Sequence, residues 1–460
     1  MKRMIIAAVV AALMLSVCAA GVSAENTVAG DFVFRDTEGG LELVEYNGTE
    51  TGFVVIPSTV DGKKVVAIGS YAFDPGHGEE NDKGHPEVMS VSVPSGVTDI
   101  GDRAFYKTGW ISSPDSADAY GCIIINGILV KYLGAASEFT APAKVKVVNY
   151  GAFEGNSTLR SVILGDGVGS VLDYAFYKCS ALERVSFGKA LSYIGDYAFS
   201  QSALTSVDLP QNVYSVPRAC FKGCASLRMV TAGSVTNIGE SAFSGCTSLT
   251  SLHFSDGKEN VFPRSLRSVE GYAFLSCAIK SLTLGSGVRN IGTCAFADCK
   301  DLTDIYINDD TCSAGSIGDY AFGIDLNKNE AGTYTPKVDK NVTVHIACAR
   351  NADGSLALPE RRSSPVIRYC FSPDPGGILP PVAYDIDRTV LLGDADLDGS
   401  VTAMDARVAL RCAAKLGDAP AGIGVTDLDT DLDGAITASD ARMLLRAAAR
   451  LDTLPESLRA

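Results

Sequence analysis

Near its C-terminal end the chain spaces aspartates in a way that suits a cation. Asp394, Asp396, Asp398 and Asp405 fall at positions 1, 3, 5 and 12 of a loop that has Gly399 at 6 and the Ser400 carbonyl at 7. The pattern returns 35 residues later as Asp429, Asp431, Asp433 and Asp440, with Gly434 and the Ala435 carbonyl in the same places. Hard oxygen donors at these positions, with glycine for the sharp turn, are the donor set calcium takes. Four carboxylates drawn into one loop repel one another unless a divalent cation lies between them. One copy could be an acidic surface turn, but two copies with matching glycines point to two calcium ions.

Each loop runs into one amphipathic helical segment, Asp405-Ala-Arg-Val-Ala-Leu-Arg-Cys-Ala-Ala-Lys-Leu416 and Asp440-Ala-Arg-Met-Leu-Leu-Arg-Ala-Ala-Ala-Arg-Leu451, and no helix leads into the first loop. A loop of EF-hand type plus exit helix, twice near the end of the chain, resembles a type I dockerin. The resemblance implies that residues 391–455 form a small all-α module whose calcium ligands are the eight aspartates with the Ser400 and Ala435 carbonyls. It also implies a partner, the cohesin module of a scaffolding protein in a cellulosome-like complex. Cohesin would be met by Ala403, Met404, Leu410 and Arg411 in the first motif and by Ala438, Ser439, Leu445 and Arg446 in the second. Met404, Leu410 and Leu445 would suit apolar anchors within a polar rim.

The rest of the chain must carry this module, and it is built on a repeat. Phenylalanine recurs at 73, 105, 153, 176, 199, 221, 243, 274, 296 and 322, so the intervals are 32, 48, 23, 23, 22, 22, 31, 22 and 26. A period of 22 or 23 residues broken by insertions means a solenoid. Between Phe153 and Phe176, Leu159, Val162 and Leu164 alternate as in a short strand, Gly165-Asp166-Gly167 turns, and Val168, Val171 and Ala175-Phe176 turn inward again. Seven buried side chains at about 2 kcal/mol each give roughly 15 kcal/mol. Ordering the backbone costs about 1 to 2 kcal/mol per residue, so a single coil cannot fold and a stack can.

Ile194-Gly195-Asp196-Tyr197-Ala198-Phe199 and Leu204-Thr-Ser-Val207-Asp-Leu209-Pro210 resemble the BspA-like, or Treponema-type, leucine-rich repeat. The resemblance covers roughly residues 31–350 and implies an α/β repeat solenoid with a parallel sheet. Its outward strand positions form two columns. One holds Ser92, Ile163, Ser186, Asp208, Thr231, His253, Thr283 and Tyr306; the other holds Ser90, Ser161, Arg184, Ser206, Met229, Ser251, Ser281 and Asp304. Asp208, His253 and Tyr306 are the candidate ligand-facing residues, on a surface that reads equally as a solvated face. The stretch from Gly127 through Tyr132 and Gly134 to Ala141-Pro142 echoes that from Leu43 through Tyr46 and Gly48 to Ile56-Pro57. Two openings of one type predict two sub-arrays meeting near Trp110.

Composition narrows the rest. A net charge of −15 and a pI near 4.8 argue against nucleic acid and anionic membrane as partners. Lys2-Arg3, the apolar run 4–17 and Val22-Ser23-Ala24 read as a signal peptide over residues 1–24, hence a secreted, extracellular or scaffold-borne cell-surface protein. No later apolar run is long enough for a membrane span. Of thirteen cysteines, Cys179, Cys224, Cys246, Cys277 and Cys299 sit three residues after a repeat phenylalanine, which predicts a packed column of thiols rather than a disulfide framework. His77, His85, Asp74, Glu79, Glu80 and Asp82 share the insertion 74–87; a metal site and a flexible acidic loop both fit, and Gly76, Gly78 and Gly84 favour the loop. Trp110 fits a cap contact better than a sugar platform. Residues 25–350 are expected as solenoid and 351–390 as cap remnant and proline-rich linker, before the module at 391–455.

No Gly-x-Ser-x-Gly elbow, His-Glu-x-x-His or phosphate loop occurs. Asp208 and Asp304 lie on one sheet but in coils too far apart for a glycosidase pair at about 5 Å per coil. A non-catalytic binding protein is therefore expected. The alternatives are a polysaccharide hydrolase with its site in the insertions near Trp110 or 325–370, and an adhesin for cell-surface proteins.

Overall fold

A coil closes because its apolar residues fall on three sides of a flattened loop. In the coil ending at Phe176, Leu159, Val162, Leu164, Val168, Val171, Ala175 and Phe176 are each at most 2% exposed. Two of the sides are short strands, Ser161–Ile163 and Ser170–Val171, each paired in parallel with its counterpart one repeat on, Ser161 with Arg184 and Ser170 with Tyr193. This computed structural model describes residues 26–307, apart from 50, 75, 77–83, 255–258, 264 and 286, together with Ala321 and short strands between 326 and 385.

The third side is a turn around the repeat phenylalanine, and among the described residues it contains no α-helix. The helical segments there are two 3-10 turns, Trp110–Ser112 and Pro114–Ser116. The parallel-sheet solenoid is as the repeat predicts; the helical half that the α/β label suggests is replaced by a turn bonded coil to coil. Residues two before and two after the phenylalanine are left-handed, as at Tyr174 (φ 56), Lys178 (φ 57), Tyr197 (φ 56) and Gln201 (φ 60). That conformation costs an L-residue roughly 1–2 kcal/mol. The following coil compensates with backbone bonds: Tyr174 N–H to the Asp196 carbonyl at 2.9 Å, Phe176 N–H to Ala198 at 2.7 Å and Lys178 N–H to Ser200 at 2.9 Å. Such bonds contribute about 1 kcal/mol each.

The chain divides into two compact units, ending and beginning at Asp118 and Ala119. In the second, Phe153, Phe176, Phe199, Phe221, Phe243, Phe274 and Phe296 stack face to face at 4.5–5.6 Å with interplanar angles of 6–13°. Tyr132 heads this column, 5.0 Å from Phe153. In the first unit Tyr46, Phe73 and Phe105 make the same column at 4.9 and 5.3 Å, and Trp110 closes it edge-on at 4.9 Å. The tryptophan is buried, so it is the cap contact expected of it. Both units open on an antiparallel hairpin, Phe32–Thr37 with Gly40–Tyr46 and Cys122–Ile125 with Ile128–Tyr132. In both, the heading tyrosine lies over a glycine two residues on: a Cβ at Gly48 or Gly134 would strike the Tyr46 or Tyr132 hydroxyl. The two openings read from the sequence are thus one capping motif used twice.

Three differences from the sequence reading stand out. Asp74, placed in a flexible acidic loop, is fully buried with Lys107 Nζ 3.0 Å from its carboxylate. His85 packs on the Tyr46 ring at 5.0 Å and bonds its carbonyl at 3.1 Å, while His77, Glu79, Glu80 and Asp82 lie outside the described residues. Strands Leu326–Lys328 and Tyr334–Pro336 form an antiparallel hairpin, a departure from the parallel pairing expected across the solenoid stretch 25–350. Strand Thr343–Ile346 pairs in parallel with Asp304–Ile307, and Ala383–Asp385 pairs with it in parallel in turn, inside the stretch 351–390 assigned to cap remnant and linker.

Candidate functional site

The outward columns are in the register the repeat dictates. Ser206, Met229 and Ser251 align across three parallel strands, as do Asp208, Thr231 and His253. Asp208 and His253 therefore share an unbroken sheet, about 10 Å apart at two strand spacings. Tyr306 belongs to a different sheet, paired with Thr283 on one side and His345 on the other. The insertion after Phe254 separates the two sheets by wedging in a stub of its own: Glu259 bridges to His253 and Val261 to Thr283. Asn260 fastens the wedge, its Oδ1 accepting from Leu252 N–H at 2.8 Å and its Nδ2 donating to the Thr250 carbonyl at 3.0 Å. Ser251 Oγ donates to Glu259 at 2.5 Å. Asp208 and Asp304 likewise fall in separate sheets, so the structure brings no carboxylate pair together there.

Ile163 and Met229 stand in these columns 47% and 42% exposed, and Arg160 pairs with Glu183 at 2.8 Å beside them. The surface is mixed in charge with isolated apolar points. A cleft of about 670 Å³ opens at the start of the second unit, walled by Tyr120, Tyr132, Glu138, Phe139 and Pro142.

A second feature went unread in the sequence. Tyr150, Tyr174 and Tyr197 stack along the phenylalanine turns at 5.1 and 4.8 Å, and Arg218 lies over Tyr197 at 5.6 Å while donating to its hydroxyl at 3.2 Å. The first unit repeats it, with Arg103 donating to the Tyr71 hydroxyl at 3.2 Å and lying 5.5 Å from the Tyr106 ring. The available signal was tyrosine two places before the repeat phenylalanine, at 71, 174, 197, 272 and 320. Burial raises the Asp173 and Asp196 carboxyls beside this row above the ordinary range, although backbone N–H groups of Asp196 and Arg218 bond them at 2.8 and 3.1 Å.

The cysteine column is a hydrogen-bond ladder. Cys179, Cys224, Cys246, Cys277 and Cys299 each donate Sγ–H to the phenylalanine carbonyl of the preceding coil, Phe153, Phe199, Phe221, Phe243 and Phe274, at 3.1–3.3 Å. All are free and buried. Ser202 takes the column's place in the coil of Phe199, its hydroxyl 3.2 Å from Cys224 Sγ. Among the described residues no group of three or more His, Cys, Asp or Glu is placed to hold a metal ion.

The two aspartate loops, the calcium-ligand set and all eight cohesin-facing positions lie outside the described residues. Their donor chemistry fits calcium: every side-chain donor is a carboxylate and the seventh position offers a carbonyl.

Stacked coils, an aromatic column within each unit and parallel outward strands define a leucine-rich-repeat solenoid. The family model for the BspA type leucine rich repeat region matches residues 131–250 and 255–330 in six copies, and that for the dockerin type I domain matches 392–447. The chain thus carries BspA-type leucine-rich repeats and a type I dockerin domain, both binding modules. The coils of Phe73 and Phe105 precede the matched residues, yet Phe73 N–H bonds the Ala104 carbonyl at 2.9 Å as later coils do. Similar solved structures include a leucine-rich repeat protein from Bacteroides ovatus ATCC 8483, 18% identical, covering 78% of this chain and 99% of that one with a TM-score of 0.38. A leucine rich cell surface protein from Faecalibacterium prausnitzii A2-165 is 18% identical, covering 80% and 97%, TM-score 0.28. A leucine-rich repeat protein from Eubacterium ventriosum ATCC 27560 is 18% identical, covering 67% and 98%, TM-score 0.36. No curated protein matches. Among the described residues no helix is long and apolar enough to cross a membrane.

Proposed function

We propose that this is a secreted, non-catalytic binding protein, exported after removal of residues 1–24. In this reading its dockerin binds two calcium ions and plugs into a cohesin of a cellulosome-like scaffold, while the solenoid presents a recognition surface. The observation that carries the reading is the dockerin match over 392–447, which encloses both aspartate loops. Asp394, Asp396, Asp398, Ser400 and Asp405 hold one ion; Asp429, Asp431, Asp433, Ala435 and Asp440 hold the other. The cation neutralises the crowded carboxylates and so folds the loops, because the unfolded chain binds it poorly. Ala403, Met404, Leu410 and Arg411, with Ala438, Ser439, Leu445 and Arg446, face the cohesin. The solenoid ligand meets the outward ladder around Asp208 and His253, with Tyr306 on the neighbouring sheet.

Calorimetry of the mature chain tests this. Two calcium ions per chain are expected, and a chelator should abolish a low-temperature transition while leaving the solenoid transition in place. Stoichiometric uptake lost in Asp398→Ala plus Asp433→Ala, with cohesin binding lost alongside, supports the reading; one transition indifferent to chelator sinks it.

A further inference from the structure

The duplicated opening supplies an internal control. Strand Gly52–Val55 in the first unit and strand Glu138–Thr140 in the second each start the outward ladder, and each leads to proline, Ile56-Pro57 and Ala141-Pro142. Each pairs in parallel on one side, Phe53 with Ser90 and Val55 with Ser92, Glu138 with Ser161 and Thr140 with Ile163. Val54 and Phe139 both point into the core, 1% and 5% exposed. The outward pair differs. It is Glu138 and Thr140 in one unit, and Phe53 and Val55, 57% and 55% exposed, in the other. Packing does not demand the apolar pair, because the same motif stands with a carboxylate and a hydroxyl in its place.

The backbone along this strand is also poised to pair. Ile56 N–H bonds the Ser92 carbonyl at 3.1 Å. Alternate residues of a parallel ladder bond the same neighbour, so Val54 turns its backbone to strand Val88–Ser92, while Phe53 and Val55 turn theirs to the other side. Among the described residues no strand lies there. A bare edge carrying exposed apolar residues is a template for another strand.

We propose that this edge is a self-association surface and that its occupant is the same strand of a second copy. A second copy fits this edge because a two-fold axis at Val54 sets the residue before it opposite the residue after it, and here those are an aromatic and a β-branched side chain. Antiparallel pairing about that axis sets Phe53 opposite Val55 of the second copy, twice, and the two residues whose backbones face outward exchange the ladder bonds. Aromatic and β-branched side chains directly opposite on one face are a favourable cross-strand pair. Val28, 68% exposed on strand Thr27–Ala29 at the edge of the same unit's other sheet, adds a further apolar point.

The test is sedimentation velocity of the mature chain, residues 25–460, in calcium. The expected result is a concentration-dependent monomer–dimer equilibrium weakened at least tenfold by Phe53→Glu with Val55→Thr. Those substitutions install the second unit's own residues, so the melting temperature should hold. Independently, Phe53→Cys chains mixed with Val55→Cys chains under oxidised glutathione should cross-link far more than either alone, since only the mixture sets the two thiols opposite each other. A monomer at every concentration, a dimer indifferent to the double substitution, or cross-linking that ignores the mixture overturns the proposal. So does a monomer that instead takes an extended apolar peptide on this edge.

Discussion

At the scale of single residues, the five column thiols are held both by burial and by a hydrogen bond to the preceding coil. Burial pushes Cys179 and Cys299 from the ordinary 9.0 up to about 12, and Cys224 to about 11 with the Ser202 hydroxyl holding it back. A protonated thiol is the weak nucleophile, so the column should be inert towards thiol reagents at neutral pH until the fold opens. Titration with a chromogenic disulfide checks this: these five cysteines should react only after denaturant is added. The folded pKa lies above the unfolded one, so the native state is at full strength below 9.0 and loses stability as pH climbs from there towards about 12. Denaturant melts over that range should show the loss, and Cys179→Ser with Cys299→Ser should flatten it. The sequence announced the column by its spacing, but not the carbonyls it serves, since those belong to the preceding coil.

At the scale of elements, the corner before each phenylalanine turn sets how closely coils approach. A Cβ on Gly195 would lie 2.7 Å from the Leu172 carbonyl carbon, besides striking the backbone and side chain of Asp173. Gly195→Ala should therefore cost about 1–3 kcal/mol by overpacking, read as a lower denaturation midpoint at unchanged slope. An alanine at Gly155 meets no atom within 4 Å, so the strain of its positive φ (76) is what it would report instead. Strand register was legible because a period of two leaves one choice of inward face, as the alignment of Asp208, Thr231 and His253 shows. The turn was not. Tyr174 and Lys178 adopt a left-handed backbone that neither residue favours locally, and the bonds holding it come from a coil 22 residues away. Asp74 misled for a similar reason: it begins an insertion rich in glycine and acid, while its partner Lys107 is 33 residues on.

At the scale of the whole molecule, stability is a sum of coils and their interfaces rather than one core. Each unit brings its own hairpin and its own heading tyrosine, so the second should stand without the first. A fragment beginning at Ala119 should keep the solenoid transition of the full chain within a few degrees, by circular dichroism. Loss of that transition would show that the Tyr132 opening is no cap. The duplication was legible in the two Tyr-x-Gly openings. The wedge at Glu259–Val261 was not, because a strand stub of this size leaves no period to read, and it divides the outward surface that the sequence had presented as continuous.

The backbone N–H groups around each repeat phenylalanine bond forwards, taking their carbonyls from the coil that follows. Under the proposed export, a chain that emerged N-terminus first would lock its layers in that order, every arrival fixing the one before. Delivery and assembly would then share a direction, and the locked layers would resist back-sliding.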